Sequence, residues 1–249
     1  MLVSSPTLSS IPYTMNIHLS ARMAGLLQKC NSFLVISSAC ILFASCSEEK
    51  IFVSDFDNNA LNQPPATNQK VGTLTNEGNV LIASSPISVA GKWANTRRPG
   101  ANDPVSGYTC HNSKFIGDGE YRFSATLFIP RNTGLVTIDF EPDVPPGGSF
   151  LHIDFMQDNK VRLQDSDIIP GMRFPKDSAF IAQVTLKINS SSATAHIALG
   201  GVGTAGAFDF TIPANLLSQA RRYSQTKLFI GFPWTGNFLV TNIVTSHVP

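Results

Sequence analysis

Period-two alternation of apolar and polar residues is the strongest constraint on how this chain folds. It is clearest at Tyr121, Phe123, Ala125, Leu127 and Ile129, and again at Phe180, Ala182, Val184, Leu186 and Ile188. Strand side chains point alternately to opposite faces, so each run lays one apolar face on a core. Further strands are expected at 80–84, 135–140, 150–156, 193–199, 207–212, 228–232 and 238–244, after a first apolar stretch at 51–56. Turn residues separate them: Pro130-Arg131-Asn132-Thr133-Gly134, Pro145-Pro146-Gly147-Gly148, Asn189-Ser190-Ser191-Ser192 and Gly200-Gly201-Val202-Gly203. The amide- and proline-rich stretch 57–65 reads as a loop, and the one helix expected is short, at 214–221. Without internal repeats, heptads or a βαβ rhythm, the expectation is an all-β fold: a two-sheet antiparallel jelly-roll sandwich with at most one short helix.

The start of the chain follows a different logic. Phe33-Leu34-Val35-Ile36-Ser37-Ser38-Ala39-Cys40-Ile41-Leu42-Phe43-Ala44 is an apolar run of about a dozen residues with Lys29 ahead of it. A transmembrane helix needs about 20 apolar residues, and this run is shorter and breaks into Ser47-Glu48-Glu49-Lys50. A secretory signal fits better. Phe43-Ala44-Ser45-Cys46 resembles the lipobox of bacterial lipoproteins, although that family prefers Leu where Phe43 stands. The resemblance implies lipidation of Cys46, removal of residues 1–45, and a short tether at 46–50 before a domain at 51–249. The partner it implies is the lipid bilayer, in the cell envelope, with Ser47 favouring the outer membrane or cell surface. An ordinary secreted protein is the alternative. The stretch ahead of the signal is long, so translation starting at Met15 or Met23 is also expected.

Of four cysteines, only Cys110 would remain in the folded part beside a lipidated Cys46, so an internal disulfide framework is excluded. Cys110, next to His111, reads as a packed small residue rather than a nucleophile. Of 18 basic residues, Arg22 and Lys29 leave with the signal, so 16 stand against 17 acidic ones. A chain this close to neutral lacks the basic surface that nucleic acid needs.

The order of elements from Tyr121 to Phe155 and the closing Phe238-Leu239-Val240-Thr241-Asn242-Ile243 resemble the concanavalin A-like or laminin-G-like jelly roll. That fold hosts lectins, glycan-binding modules, glycosidases and polysaccharide lyases, so the resemblance implies a shape and leaves binding and catalysis open. Its laminarinase-like hydrolases carry Glu-x-Asp-x-x-Glu on a central strand. The matching segment here is His152-Ile153-Asp154-Phe155-Met156-Gln157, after a similar strand at 121–130. A retaining glycosidase needs two carboxyl groups about 5 Å apart. Imidazole at 152 and amide at 157 leave Asp154 alone, so the hydrolase chemistry is not expected. On the plainer reading His152 and Asp154 lie on the less buried face of a strand whose Leu151, Ile153 and Phe155 face the core. A lyase would need a His or Tyr base with an Arg or Gln, and Arg122, Gln183 and His196 sit on strands that could be neighbours.

Glycan binding needs aromatic planes for sugar rings and polar groups for hydroxyls. Trp93 with Asn95, Arg97 and Arg98 forms one such segment, and Trp234 in Phe232-Pro233-Trp234-Thr235-Gly236-Asn237 another. The competing reading is that both indoles are packing anchors. The candidate ligand-binding residues are therefore Trp93, Arg97, His152, Asp154, Gln157 and Trp234, with no catalytic residue assigned. No cofactor is expected. Calcium would need several oxygen ligands, for which the sequence offers Asp55-Phe56-Asp57-Asn58-Asn59 or Asp165-Ser166-Asp167. The expected role is a non-catalytic module binding a glycan or another envelope component. The alternatives are a carbohydrate-active enzyme of the same fold and a purely structural lipoprotein.

Overall fold

The computed structural model describes residues 47–87, 91–143, 148–165 and 167–249, and these form one compact unit. The apolar run ending at Cys46 lies outside the described residues. The strands, in chain order, are β1 (Glu49–Ser54), β2 (Thr73–Glu77), β3 (Asn79–Ser84), β4 (Lys92–Arg98), β5 (Ser106–His111), β6 (Gly119–Phe128), β7 (Leu135–Pro142), β8 (Leu151–Met156), β9 (Lys160–Leu163), β10 (Asp167–Arg173), β11 (Ala179–Ile188), β12 (Ala193–Gly200), β13 (Ala207–Thr211), β14 (Tyr223–Ile230) and β15 (Gly236–Val248). A 3-10 turn at Ala214–Leu216 runs into the short helix α1 (Leu217–Ala220), where a helix was expected.

The strands form two antiparallel sheets. One has eight strands, ordered β13-β12-β11-β6-β15-β4-β3 with β1 also on β15; the other has seven, ordered β10-β9-β8-β7-β14-β5-β2. The two clearest alternating runs become neighbours, with Phe123 opposite Val184 and Tyr121 opposite Leu186. Their inward residues meet those of the second sheet in a single core. Aromatic rings join the layers: Phe123 lies 5.4 Å from Phe140, Tyr121 5.1 Å from Tyr223 and Phe155 5.5 Å from Phe180. Such pairs add roughly 0.5–1.5 kcal/mol each beyond their burial. Cys110 sits in this core, and burial pushes its thiol well above the usual range, so no nucleophile arises there.

The long strand β15 pairs with β6 and carries β4 and then β1 along its other edge. A bulge between Thr241 and Val244, with Asn242 at φ 50°, re-aims the strand between those two partners. The chain's described start is thereby laid against its end, Glu49 opposite His247. Glu49 and Lys50 belong to β1, so two of the residues read as tether are part of the sheet.

Five strands lie where no strand was expected: β2, β4, β5, β9 and β10. In β5 the inward positions are Ser106, Tyr108 and Cys110, and Gly107 lies between them, which blurs the alternation. In β4 the inward set ends in Arg98, which is 1% exposed. Its guanidinium donates to the carbonyls of Ala101, Asp103, Pro104 and Trp234, so a charged residue closes the loop 99–105 onto the sandwich. Pro170 and Gly171 disguise β10, which tolerates them because it is an edge strand.

Candidate functional site

The inward residues of β7 and β8 are Val136, Ile138 and Phe140, and Leu151, Ile153 and Phe155. Alternation sends Thr137, Asp139, Glu141, His152 and Asp154 to the outer face of the seven-stranded sheet. Strand register then arranges them in rows. Asp154 stands between Thr137 and Arg162, and His152 opposite Asp139, which stands opposite Lys227. Glu141 is opposite Gln225, itself opposite His111.

Asp154 is completely buried although it points away from the core. Its neighbours cover it: the Thr137 hydroxyl donates to Oδ1 at 2.7 Å, and Arg162 donates to Oδ2 through Nε at 2.9 Å and Nη2 at 2.5 Å. His152 has Nδ1 2.6 Å from Asp139 and Nε2 3.1 Å from Asp154 and 3.3 Å from Asp165. Burial by itself favours the neutral imidazole, but hydrogen bonds to Asp139 and Asp154 outweigh it and lift the ring to about 10. Burial likewise works against an ionised Asp154, and His152, Thr137 and Arg162 together hold its carboxyl below the usual range. Asp165 arrives from the turn after β9, where Gln164 and Asp165 adopt φ of 50° and 59°. Two bonds from Gln164, N to His152 O and Nε2 to Phe150 O, both 3.0 Å, pin that turn to β8.

This network has little capacity for acid–base work. At neutral pH His152 carries its proton on a ring held from both sides, and Asp154 has no unengaged oxygen. One nitrogen of His152 and one oxygen each of Asp154 and Asp165 fall within 4.8 Å of one another, the only such grouping among the described residues. They form a cation-ligand set only after His152 gives up its proton, and Arg162 already supplies the countercharge. Of the calcium sources suggested by sequence, Asp55 is paired with Lys70 and Asp165 faces His152 and Arg162, while Ser166 and the side chain of Asp167 lie outside the described residues.

The same face continues past Asp139. Glu141 is raised, chiefly by burial and further by the fields of Asp139 and Glu77, while a bond from Gln225 at 2.8 Å works the other way. Lys227 lies 2.9 Å from Glu77 and 5.1 Å over the Phe229 ring. Opposite Phe229 is Gly107, where a Cβ would come within 2.3 Å of the Leu228 carbonyl and 2.4 Å of the Phe229 Cβ. His111 is lowered by burial and lies 3.0 Å from the Thr75 hydroxyl.

Of the six candidate ligand-binding residues read from the sequence, His152 and Asp154 come together and the other four do not join them. As expected, the pair lies on the outer and less buried face of β8, with Leu151, Ile153 and Phe155 in the core; what differs is Asp154 itself, which neighbouring side chains close over completely. Gln157 is in the exposed turn after β8 and does not re-aim into the row. Trp93 and Arg97 lie on β4, in the other sheet. Trp93 is 2% exposed and offers no ring to a ligand, which corrects its assignment as a binding residue. The adjacent Lys92 donates to the carbonyls of Asp57 and Asn59 and so holds the loop 57–59. Trp234 is 39% exposed in the β14–β15 turn beside Phe232, which is 74% exposed. It packs on Gly134, where a Cβ would be 2.8 Å from the indole. Arg122 and His196 do share a groove on the eight-stranded sheet with Glu120, Thr185, Lys187 and Asp209. Each is paired there, Arg122 with Glu120 and His196 with Asp209 at 2.7 Å, so neither resembles a free lyase group. Sequence reading missed Thr137, Asp139, Glu141, Arg162, Gln225 and Lys227. Their signal was present, as polar residues alternating with the core residues of β7, β9 and β14.

No protein-family model matches the chain, and no curated protein matches it. Among solved structures it is similar to the catalytic domain of a glycoside hydrolase family 131 protein from Coprinopsis cinerea, with 12% identity over 81% of this chain and 95% of that one and a TM-score of 0.52. Arcelin-5, a lectin-like defense protein from Phaseolus vulgaris, shares 12% identity over 80% of this chain and 97% of its own, with a TM-score of 0.48. A Trypanosoma rangeli sialidase matches 70% of this chain at 13% identity and a TM-score of 0.43, and the chain spans 30% of that enzyme's length. At these identities the first of the three likenesses shows the fold alone, a two-sheet antiparallel β-sandwich.

Proposed function

We propose that this is a lipid-anchored protein of a bacterial envelope, at the outer membrane or cell surface, whose jelly roll binds a glycan or another envelope component without turning it over. The ligand would lie on the outer face of the seven-stranded sheet. The observation that carries this reading is the closed network around Asp154. Retaining hydrolysis needs one carboxylate free to attack and one to shuttle a proton, and here Asp154 is saturated while His152 is clamped as a cation. Gln225, Lys227, Asp165 and Phe229 nevertheless remain partly exposed, as hydroxyl-binding groups and an apolar ring. The neighbours' lectin and hydrolase descriptions agree with a glycan but do not choose one.

One observation favours the enzymatic alternative. Glu141 is raised and lies two residues from Asp139 on the same face, which is how an acid and its partner carboxylate would be spaced along a strand. The test is a glycan array with the chain from Cys46 onward, followed by product analysis on every bound oligosaccharide. Binding that Lys227→Ala and Gln225→Ala weaken, with no product, supports the proposal; turnover abolished by Glu141→Gln replaces it with the enzyme. Absence of binding to all glycans moves the role to structure. The anchor is tested separately: Cys46→Ser should move the protein from membranes to the soluble fraction, because acyl chains supply the attachment.

A further inference from the structure

The described chain begins under tight control. Only Ser47 separates Cys46 from Glu48, whose carboxylate accepts from the Ser246 hydroxyl and lies 3.5 Å from Arg122. From Glu49 onward the backbone is paired in the sheet. Three residues span at most about 10 Å, so a lipid on Cys46 would hold this end of the sandwich, and no other, at the bilayer.

The same end carries an exposed aromatic. Phe115 is 54% exposed in the loop between β5 and β6. That loop is fixed: Ser113 N donates to Ile51 O at 2.7 Å, Lys114 is 2.5 Å from Glu49, and the Tyr121 hydroxyl donates to Gly117 O at 2.6 Å. Of the cations nearby, Lys114 is engaged by Glu49, Arg221 by Asp118 at 2.7 Å and Arg222 by Asp143 at 3.0 Å, while exposed Lys50 has no ion pair among the described residues but follows directly on the two carboxylates of Glu48 and Glu49. Charge attraction to anionic lipid is therefore weak here, and the apolar ring is what remains to meet a membrane. On segments that lie at a membrane surface, Phe is among the side chains buried at the boundary between headgroups and acyl chains.

We infer that Phe115 is a second membrane contact, seated in the headgroup–acyl boundary beside the lipidated Cys46, so that the sandwich stands upright on the bilayer with a fixed orientation. The inference rests on the reading of Cys46 as the lipid-bearing residue. It places Phe232 and Trp234 at the far tip. They precede β15 at Gly236, eleven residues before His247, which faces Glu49; at about 3.3 Å per residue this is roughly 35 Å from the membrane end. The Asp154 face then runs along the side of the molecule, open to ligands rather than turned to the lipid.

The experiment supplies the lipid chemically, so that it does not depend on processing in the cell. The chain from Cys46 to Pro249 is reacted at Cys46 with an N-alkyl maleimide, the buried Cys110 being protected by the fold, and bound to phosphatidylcholine vesicles with brominated acyl chains. Relative to the parent protein, Phe115→Trp should add a blue-shifted emission that bromine quenches, equally at low and high salt. Phe232→Trp should add an emission that bromine leaves unchanged. No quenching of the Phe115→Trp signal, or equal quenching of both variants, overturns the orientation. Failure of Cys46→Ser to leave the membrane fraction overturns the lipoprotein reading instead, so the two are separable.

Discussion

Replacing Asp154 with alanine should be the most damaging single change on the outer face of the seven-stranded sheet. The substitution strands the Thr137 hydroxyl and takes the buried partner from the Arg162 guanidinium and His152 Nε2, which keep only the exposed Asp165 at 3.6 and 3.3 Å. Removing one partner of a buried ion pair costs about 3–5 kcal/mol. Water reaches the survivors in part, since the side chains of His152 and Arg162 are 16% and 25% exposed, which places the loss near the lower end, about 3 kcal/mol. For a domain of this size that lowers the melting temperature by about 6–12 °C, and the urea midpoint by about 1–1.5 M with an unchanged slope. Asp209→Ala is the control. Asp209 lies 2.7 Å from His196, but those side chains are 88% and 51% exposed, so its removal should cost no more than about 0.5 kcal/mol. Urea unfolding followed by circular dichroism measures both. If the two variants lose equal stability, the claim that burial rather than contact distance sets the strength of this network is refuted.

The same network sets a pH dependence. His152 is raised from 6.5 to about 10 in the folded state, so its contribution is fully present below pH 6.5 and is lost as pH climbs through 10; unfolding free energy should fall over that window, and His152→Gln should flatten the slope. Every cation at the centre of the face has an acidic partner, Arg162 with Asp154, His152 with Asp139 and Lys227 with Glu77. Uronate-rich oligosaccharides should therefore bind more weakly than neutral ones by calorimetry, and tighter uronate binding would show that one of these cations is free for ligand. Trp93→Ala should cost stability, about 3 kcal/mol or more as for other buried Trp truncations, and leave glycan affinity unchanged; loss of affinity at unchanged stability would return Trp93 to the binding site.

Where alternation was strong, the elements were legible before any coordinates. β6, β7, β8 and β11 to β13 lie within a residue or two of expectation because apolar residues recur at their inward positions. β4 and β5 were missed because Arg98, Ser106 and Cys110 take inward positions that only their tertiary partners make tolerable. Pro170 hid β10, since nothing local announces that a strand will lie at an edge. The site was half legible in the same way. His152 and Asp154 stood out through a family pattern, whereas Asp139 and Arg162 stood out through nothing but period two.

Period two and turn chemistry determined the class of this protein, two antiparallel sheets with one short helix, because strand formation and burial of one face depend on residues close in sequence. If residues 1–45 are removed and Cys46 is lipidated, Cys110 is the one thiol left, which excludes an internal disulfide on arithmetic alone. Tertiary structure decided the site. Strand order puts β9, β8, β7 and β14 side by side, so Arg162, Asp154, Asp139 and Lys227, spread over 89 positions of the chain, become neighbours on one face. It also decided protonation and exposure. The charge on His152, the burial of Trp93 and the accessibility of Trp234 depend on what covers each group, and residues distant in sequence provide that cover.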